Sequence, residues 1–97
     1  MLNSRQRAQL RGMANRLDTI FQVGKAGVSD NLIKQVDEAL TVRELIKLRT
    51  LETSPEGARS AAGRIAGAVG ADVVQVIGSR FVLYRANPEQ PQIVLVR

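Results

Sequence analysis

The 97-residue sequence contains neither cysteine nor histidine. Their absence excludes disulfide bonds, thiol nucleophiles, metal sites built on thiolate or imidazole, and the side chain that most often serves as a general base. No apolar run approaches the roughly 20 residues that cross a bilayer, and the N-terminus lacks an apolar signal segment. We therefore expect a cytoplasmic protein with no metal, no cofactor, no membrane partner and no small-molecule substrate.

Aromatic residues are also scarce, at 3% of the sequence. Phe21 and Phe81 stand in apolar segments and are expected in the core, whereas Tyr84 is expected to be exposed. One tyrosine is too little for a platform on which nucleic-acid bases stack. If the protein binds RNA, it should recognise backbone and shape, with modest intrinsic sequence specificity.

Positive charge is abundant and unevenly distributed. Fourteen Lys and Arg oppose nine Asp and Glu, so the formal net charge is +5. Residues 1–25 contain five of these cations and a single acid, Asp18. Such a segment indicates a polyanionic partner, either nucleic acid or an anionic membrane surface, although a basic pI can also serve solubility alone.

The hydrophobic periodicity predicts one domain, residues 1–97, with elements in the order α-β-α-β-α-β-β. Predicted helices begin at Asn3 or Ser4, at Ser29 and at Ser54-Pro55-Glu56. Predicted strands cover 20–23, 44–51, 72–77 and 81–85, the last two joined as a hairpin by Gly78-Ser79. We expect an α/β fold in which a mixed four-stranded sheet packs with three helices. Its core spans about residues 4–86, and residues 87–97 form a C-terminal tail or an edge strand.

The third predicted helix carries a face of small residues, which should let it lie close to the sheet. Gly63 and Gly67 fall inside this helix, where each costs about 1 kcal/mol relative to alanine. We therefore expect a packing reason for both glycines.

The segment Gly24-Lys25-Ala26-Gly27 lies between the first predicted strand and the second predicted helix. Glycine permits positive φ and lets the backbone come close to a sugar-phosphate chain, and the start of the next helix favours an anion. Lys25 adds a positive charge, and Ala26 is small enough to leave access open. Most GxxG patterns are merely turns, but the KH domain clamps RNA with such a loop. The position, the lysine and the basic chain favour RNA binding here.

Further cations are candidates for RNA contact. Arg7 and Arg11 lie one turn apart on the first predicted helix, and their proximity to Lys25 in the sequence favours RNA over simple solvation. Lys47 and Arg49 share one face of the second strand, where solvent and RNA are equally good explanations. Arg80 and Arg85 flank the terminal hairpin, and protection of a sheet edge explains them equally well.

Five segments together carry a family resemblance: 7–11 with Ala14, 23–29, 39–40, 44–48 and 81–85. Over residues 4–86 the chain resembles the YhbY-type CRM domain, the chloroplast RNA splicing and ribosome maturation module. The resemblance implies RNA binding through the glycine turn, and a fold like the C-terminal domain of translation initiation factor three. It also implies association with precursors of the large ribosomal subunit. Histidines that are common in the family are replaced at Asn15 and at Val42-Arg43, which leaves the turn intact.

Other functional classes fit less well. The sequence contains no Ser/His/Asp, phosphate-loop or metal-ligand constellation, so we do not expect an enzyme. A protein-binding adaptor or a homodimer that uses the sheet edge remains open. Salt dependence separates these classes, because phosphate binding weakens steeply with added salt and an apolar interface does not. The preferred interpretation is a monomeric, non-catalytic factor that binds ribosomal RNA during large-subunit assembly.

Overall fold

The computed structural model describes residues 2–97. The helices are α1 (Ser4–Ala14), α2 (Asp30–Arg43) and α3 (Ala58–Val69). The strands are β1 (Thr19–Val23), β2 (Leu45–Thr50), β3 (Asp72–Ile77) and β4 (Arg80–Tyr84). This order and the mixed four-stranded sheet confirm the predicted α/β fold. None of the helices in residues 2–97 is long and apolar enough to cross a bilayer.

The strands form one sheet in the spatial order β1-β2-β4-β3. The crossover through α2 makes β1 parallel to β2, whereas β4 is antiparallel to both of its neighbours. Gly78 has φ +57, and Ser79 is not among the residues with positive φ. Positive φ at the first central residue alone is the pattern of the predicted type II′ hairpin.

Each face of the sheet is covered differently. Helices α2 and α3 pack on one face and form the larger core, to which α3 contributes mainly alanines, as its small-residue pattern predicts. The prediction of a packing role for Gly63 and Gly67 is wrong, because both residues are exposed and an added Cβ would meet nothing within 4 Å. Helix α1 covers part of the other face and forms a smaller core. This core consists of Leu2, Leu10, Ala14, Leu45, Val74, Val82 and Tyr84.

The helix starts are only partly as predicted. Ser29 caps α2 by accepting a hydrogen bond from the Leu32 N–H at 3.1 Å, and Asn3 caps α1 in a capping box with Gln6. The prediction for α3 is wrong, since this helix begins at Ala58 and not at Ser54. The Ser54 hydroxyl donates to the Glu56 carbonyl at 2.6 Å, so it closes a local turn that competes with the helix.

Glu44 ends α2 and does not belong to β2, which contradicts the predicted strand start. It has φ +63 and its side chain is fully buried. Burial by itself raises the pKa of this carboxyl, but hydrogen bonds from the backbone N–H groups of Asn87, Gln92 and Ile93 outweigh it and lower the pKa below its ordinary value. These bonds are 2.6, 2.7 and 2.9 Å long, so the carboxylate anchors the segment after β4.

The C-terminal segment forms a tail along α1, and the alternative prediction of an edge strand is wrong. Ile93 and Leu95 pack against the smaller core. The Gln9 amide donates to the Val94 carbonyl and accepts from the Val96 N–H, both at 2.8 Å. Because a side chain satisfies these backbone groups, the tail needs no neighbouring strand.

The aromatic residues are all involved in packing. Phe81 is buried and Phe21 is half-buried against the larger core, as predicted. Tyr84 contradicts the prediction of exposure, because only 4% of it is accessible. Burial raises the pKa of its hydroxyl, and the negative charges of Glu44 and Asp72 raise it further. No aromatic side chain is therefore fully exposed for stacking on a base in residues 2–97.

Candidate nucleic-acid interface

The Gly24–Gly27 segment is a closed turn directly after β1. The Gly27 N–H donates to the Gly24 carbonyl at 2.9 Å, and the side chains of Lys25 and Ala26 are exposed at the tip. Within residues 2–97, the N–H groups of Lys25 and Ala26 have no hydrogen-bond acceptor. The tip therefore offers two backbone donors and one ammonium group to an anion.

The two glycines of the turn have different roles. Gly27 is buried with φ +71, and an added Cβ would lie 3.0 Å from Cγ of Pro55. A Cβ on Gly24 would meet its nearest neighbour, Cδ1 of Leu51, at an ordinary 3.7 Å. The fold thus requires glycine at position 27, whereas position 24 has room for a methyl group.

The start of α2 is less open to an anion than the sequence suggests. Ser29 already accepts the Leu32 N–H, and Asp30 puts a negative charge in the first turn of the helix. A carboxylate there interacts favourably with the helix dipole and repels a second anion. Lys25 and the turn N–H groups are better placed to meet a phosphate.

A row of long polar side chains crosses the sheet beside this turn. Gln22, Arg49 and Arg80 are register partners on β1, β2 and β4. Directly paired residues project from the same face of a sheet, so these three side chains share the face that α1 partly covers. With the Gln22 amide oxygen facing Arg49, it accepts hydrogen bonds of 2.8 Å from Nη2 and 3.2 Å from Nε.

The row and the turn lie at the same end of the sheet. The Leu51 N–H donates to the Val23 carbonyl at 2.9 Å, and the Thr50 N–H donates to the Ser79 carbonyl at 2.7 Å. These bonds tie the end of β1, the end of β2 and the β3–β4 hairpin together. The structure therefore brings Lys25, Arg49 and Arg80 to the same end of the sheet.

Lys47 lies on the same sheet face as Arg49, two residues earlier on β2 and therefore further from the turn. It is half-buried and pairs in register with Val82 of β4. A hollow of about 130 Å³ lies between Lys47, Arg80 and Asn15, where α1 ends. The part of this sheet face that α1 leaves uncovered is thus lined by cations. The part that α1 covers contributes to the smaller core.

Arg7 is not brought to the turn. Arg7 is half-buried, and its guanidinium donates to the Val73 carbonyl, near the end of the sheet opposite the turn. Arg11 is exposed one helical turn later. The closeness of Arg7 to Lys25 along the sequence is not a closeness in space, and RNA contact by Arg7 and Arg11 stays a prediction.

Arg80 and Arg85 flank the same hairpin but differ in structure. Arg85 makes an ion pair with Asp37 at 2.6 Å and also donates to the Val69 carbonyl at 2.9 Å and the Thr41 hydroxyl at 2.8 Å. Arg80 is exposed and makes no ion pair within the described chain. Sequence reasoning missed Gln22 and could not decide the role of Arg80, because their partnership with Arg49 depends on which strands are neighbours.

The chain is similar to proteins of one family along almost its full length. The family model described as "CRS1 / YhbY (CRM) domain" matches residues 2–85. The "Probable RNA-binding protein YqeI" of Bacillus subtilis is 44% identical over 95 residues, which cover 98% of this chain and 99% of that protein. An "RNA-binding protein" of Haemophilus influenzae is 30% identical over 88 residues, 91% of this chain and 89% of the relative.

A solved structure has the same fold. The solution structure of the hypothetical protein SAV1595 from Staphylococcus aureus superposes with a TM-score of 0.82 at 41% identity. The match covers 99% of this chain and all of that one.

Proposed function

The chain belongs to the CRS1/YhbY (CRM) domain family, and from this membership we propose that it is a non-catalytic RNA-binding protein. The observation that carries the proposal is the grouping of Lys25, Arg49 and Arg80 at one end of the sheet. The names of two relatives as RNA-binding proteins agree with it. The formal net charge of +5 gives the long-range attraction that a polyanion requires.

The proposed contact is made to the RNA backbone. Lys25 and the N–H groups of the turn tip hold one phosphate, and Arg49 and Arg80 hold the next ones with guanidinium groups that can bond two oxygens at once. Such contacts fix position and orientation but do not read bases. Since no aromatic side chain is fully exposed in residues 2–97, recognition rests on the shape of a folded RNA.

We further propose that this RNA is ribosomal RNA in precursors of the large subunit, bound in the cytoplasm by a monomer. A surface that recognises shape suits a structured RNA better than an unfolded message. The test is to sediment cell extracts containing the tagged protein and to sequence the RNA cross-linked to it. Recovery of large-subunit precursor RNA supports the proposal, and recovery of unrelated transcripts alone contradicts it.

The RNA-binding surface itself is tested by salt titration. Removing Lys25 and Arg49 together should make the slope of log affinity against log salt shallower by about 1.4, since each phosphate contact to single-stranded RNA contributes about 0.7. The double variant of Lys34 and Arg59, two exposed cations on α2 and α3, is the matched control. Equal slopes for the two double variants would exclude the proposed surface.

The alternative, a protein-binding adaptor or a homodimer that uses the sheet edge, has less support, because no large apolar surface is exposed beside that edge within residues 2–97. Large exposed apolar side chains come from separate segments. They are Met13 on α1, Val42 on α2, Ile77 on β3, and Val94 and Val96 in the tail. The same titration separates the two functions, because binding to a protein through apolar contacts would persist at high salt.

A further inference from the structure

A cleft of about 330 Å³ opens beside the first half of β1, away from the Gly24–Gly27 turn. Its walls come from the segment between α1 and β1, the end of α2, and β2. Three cations line it, Arg16, Arg43 and Lys47, together with one acid, Asp18. Apolar side chains, including Leu17 and Ile20, complete the lining.

The charges of this cleft are not balanced within the protein. The ion pairs within residues 2–97 are Arg64–Glu56 and Arg85–Asp37, neither of which involves the cleft. Arg16, Asp18 and Arg43 are exposed. Three cations against one acid leave a positive surplus in a concave site, where low-dielectric walls strengthen the attraction of an anion.

The combination of apolar walls and cations matches a nucleotide. The cations suit its phosphate, and the apolar walls suit the faces of its base. The volume lies near the lower end of the roughly 300–1,000 Å³ of small-molecule sites, so it holds one nucleotide and not a strand. Planar guanidinium groups can stack on a base where no aromatic ring is present, which assigns that role to Arg16 and Arg43.

Asp18 gives the cleft a means of selecting among bases. An ionised carboxylate only accepts hydrogen bonds, and it pairs well with the exocyclic amino group of cytosine. Adenine and guanine carry such an amino group too, whereas uracil has a single N–H between two carbonyl oxygens that the carboxylate would repel. One acid among three cations therefore disfavours uracil.

We propose that this cleft holds a single unstacked nucleotide of the bound RNA, one whose base carries an exocyclic amino group. Arg16, Arg43 and Lys47 bind its phosphate and base face, and Asp18 accepts a hydrogen bond from its amino group. The inference rests on the proposed function, because the RNA held at the turn supplies the strand. Lys47 connects the two sites, since it lines the cleft and shares a sheet face with Arg49.

The test uses single-stranded 12-nucleotide probes of cytidine, adenosine or uridine, titrated into the intact protein. The wild type should bind the cytidine and adenosine probes at least about fivefold more tightly than the uridine probe. Asp18→Ala should abolish this preference without weakening the binding of uridine. Arg16→Ala with Arg43→Ala should weaken the cytidine probe about tenfold relative to Lys34→Ala with Arg59→Ala, which removes the same charge elsewhere.

The outcomes of this experiment test the cleft proposal separately from RNA binding at the turn. The cleft proposal is overturned if the Arg16 and Arg43 double variant binds the cytidine probe as tightly as its control. The proposed function still stands in that case, provided that RNA binds and Lys25→Ala weakens all probes equally. A preference that survives Asp18→Ala overturns the role of Asp18. If no probe binds the wild type at low salt, the cleft proposal is overturned, whereas the proposed function, which concerns a folded RNA, is decided by the cross-linking experiment.

Discussion

Arg49 and Arg80 lie directly opposite each other on the antiparallel strands β2 and β4. Like charges in direct register destabilise a sheet by a few tenths of a kcal/mol. The Gln22 amide oxygen relieves Arg49, but Arg80 has no acidic partner within residues 2–97. A phosphate between the two guanidinium groups would turn this repulsion into two charge-assisted contacts.

Replacing Arg80 by alanine should therefore affect binding and stability in opposite directions. We expect RNA affinity to fall about fivefold, while the free energy of unfolding stays constant or rises by a few tenths of a kcal/mol. RNA titration and urea denaturation measure the two effects. Arg59→Ala, an exposed cation on α3, is the control and should leave affinity within about twofold. A clear loss of stability in Arg80→Ala would contradict the unrelieved repulsion.

The two glycines of the turn should respond differently to alanine. Gly27→Ala forces φ +71 on a residue with a Cβ and brings that atom to 3.0 Å from Pro55, so unfolding should become easier by about 1–2 kcal/mol. Gly24→Ala should cost less than about 1 kcal/mol, because the new Cβ meets Leu51 at 3.7 Å. Thermal melting of both variants checks this. Similar melting temperatures would mean that the turn does not need glycine at position 27.

Local patterns in the sequence predict much of this fold. The Ser29 cap needs only its neighbours, and the hairpin at Gly78-Ser79 needs only positive φ at one residue, so both follow from the sequence. The wrong prediction of a helix start at Ser54 also has a local cause. The Ser54 hydroxyl bonds the Glu56 carbonyl and closes a turn in place of the first helical turn.

Features that depend on distant partners do not follow from local patterns. Glu44 continues the alternation of β2, yet its carboxylate is bound by N–H groups 43 to 49 residues later. Tyr84 is covered by α1 and the tail, which the sequence of β4 does not reveal. In the same way, the candidate site gains Arg80 and Gln22 only once β2 is known to lie between β1 and β4.

Arg85 should stabilise the fold and contribute little to RNA binding. Its guanidinium joins β4 to α2 and α3 through Asp37, Thr41 and Val69. Arg85→Ala removes these bonds together and should lower the free energy of unfolding by about 2 kcal/mol. Urea denaturation of Arg80→Ala provides the comparison at the other end of the same strand. Equal stabilities of the two variants would show that the Arg85 contacts have no net effect.

Glu44 should make the stability of the protein depend on pH in the acid range. Its pKa is lowered by folding, so the unfolded state binds more protons at mildly acidic pH, and stability falls as pH falls from the ordinary value of 4.5 through the folded value. Glu44→Gln replaces one accepting oxygen by a donor that faces backbone N–H groups, and should cost about 2–3 kcal/mol at pH 7.

The pH dependence of stability and the destabilisation by Glu44→Gln have the same origin and can be measured together. Protonation of Glu44 also replaces an acceptor by a donor, so the difference in unfolding free energy between wild type and Glu44→Gln should shrink as the pH drops below 4.5. Urea denaturation at intervals between pH 7 and pH 3 measures this difference. The same variant should loosen the tail, since one of the two oxygens that accept the N–H groups of Asn87, Gln92 and Ile93 becomes a donor, and hydrogen exchange within this set of N–H groups should accelerate. A difference that stays constant with pH would mean that the carboxylate charge is not what holds the tail.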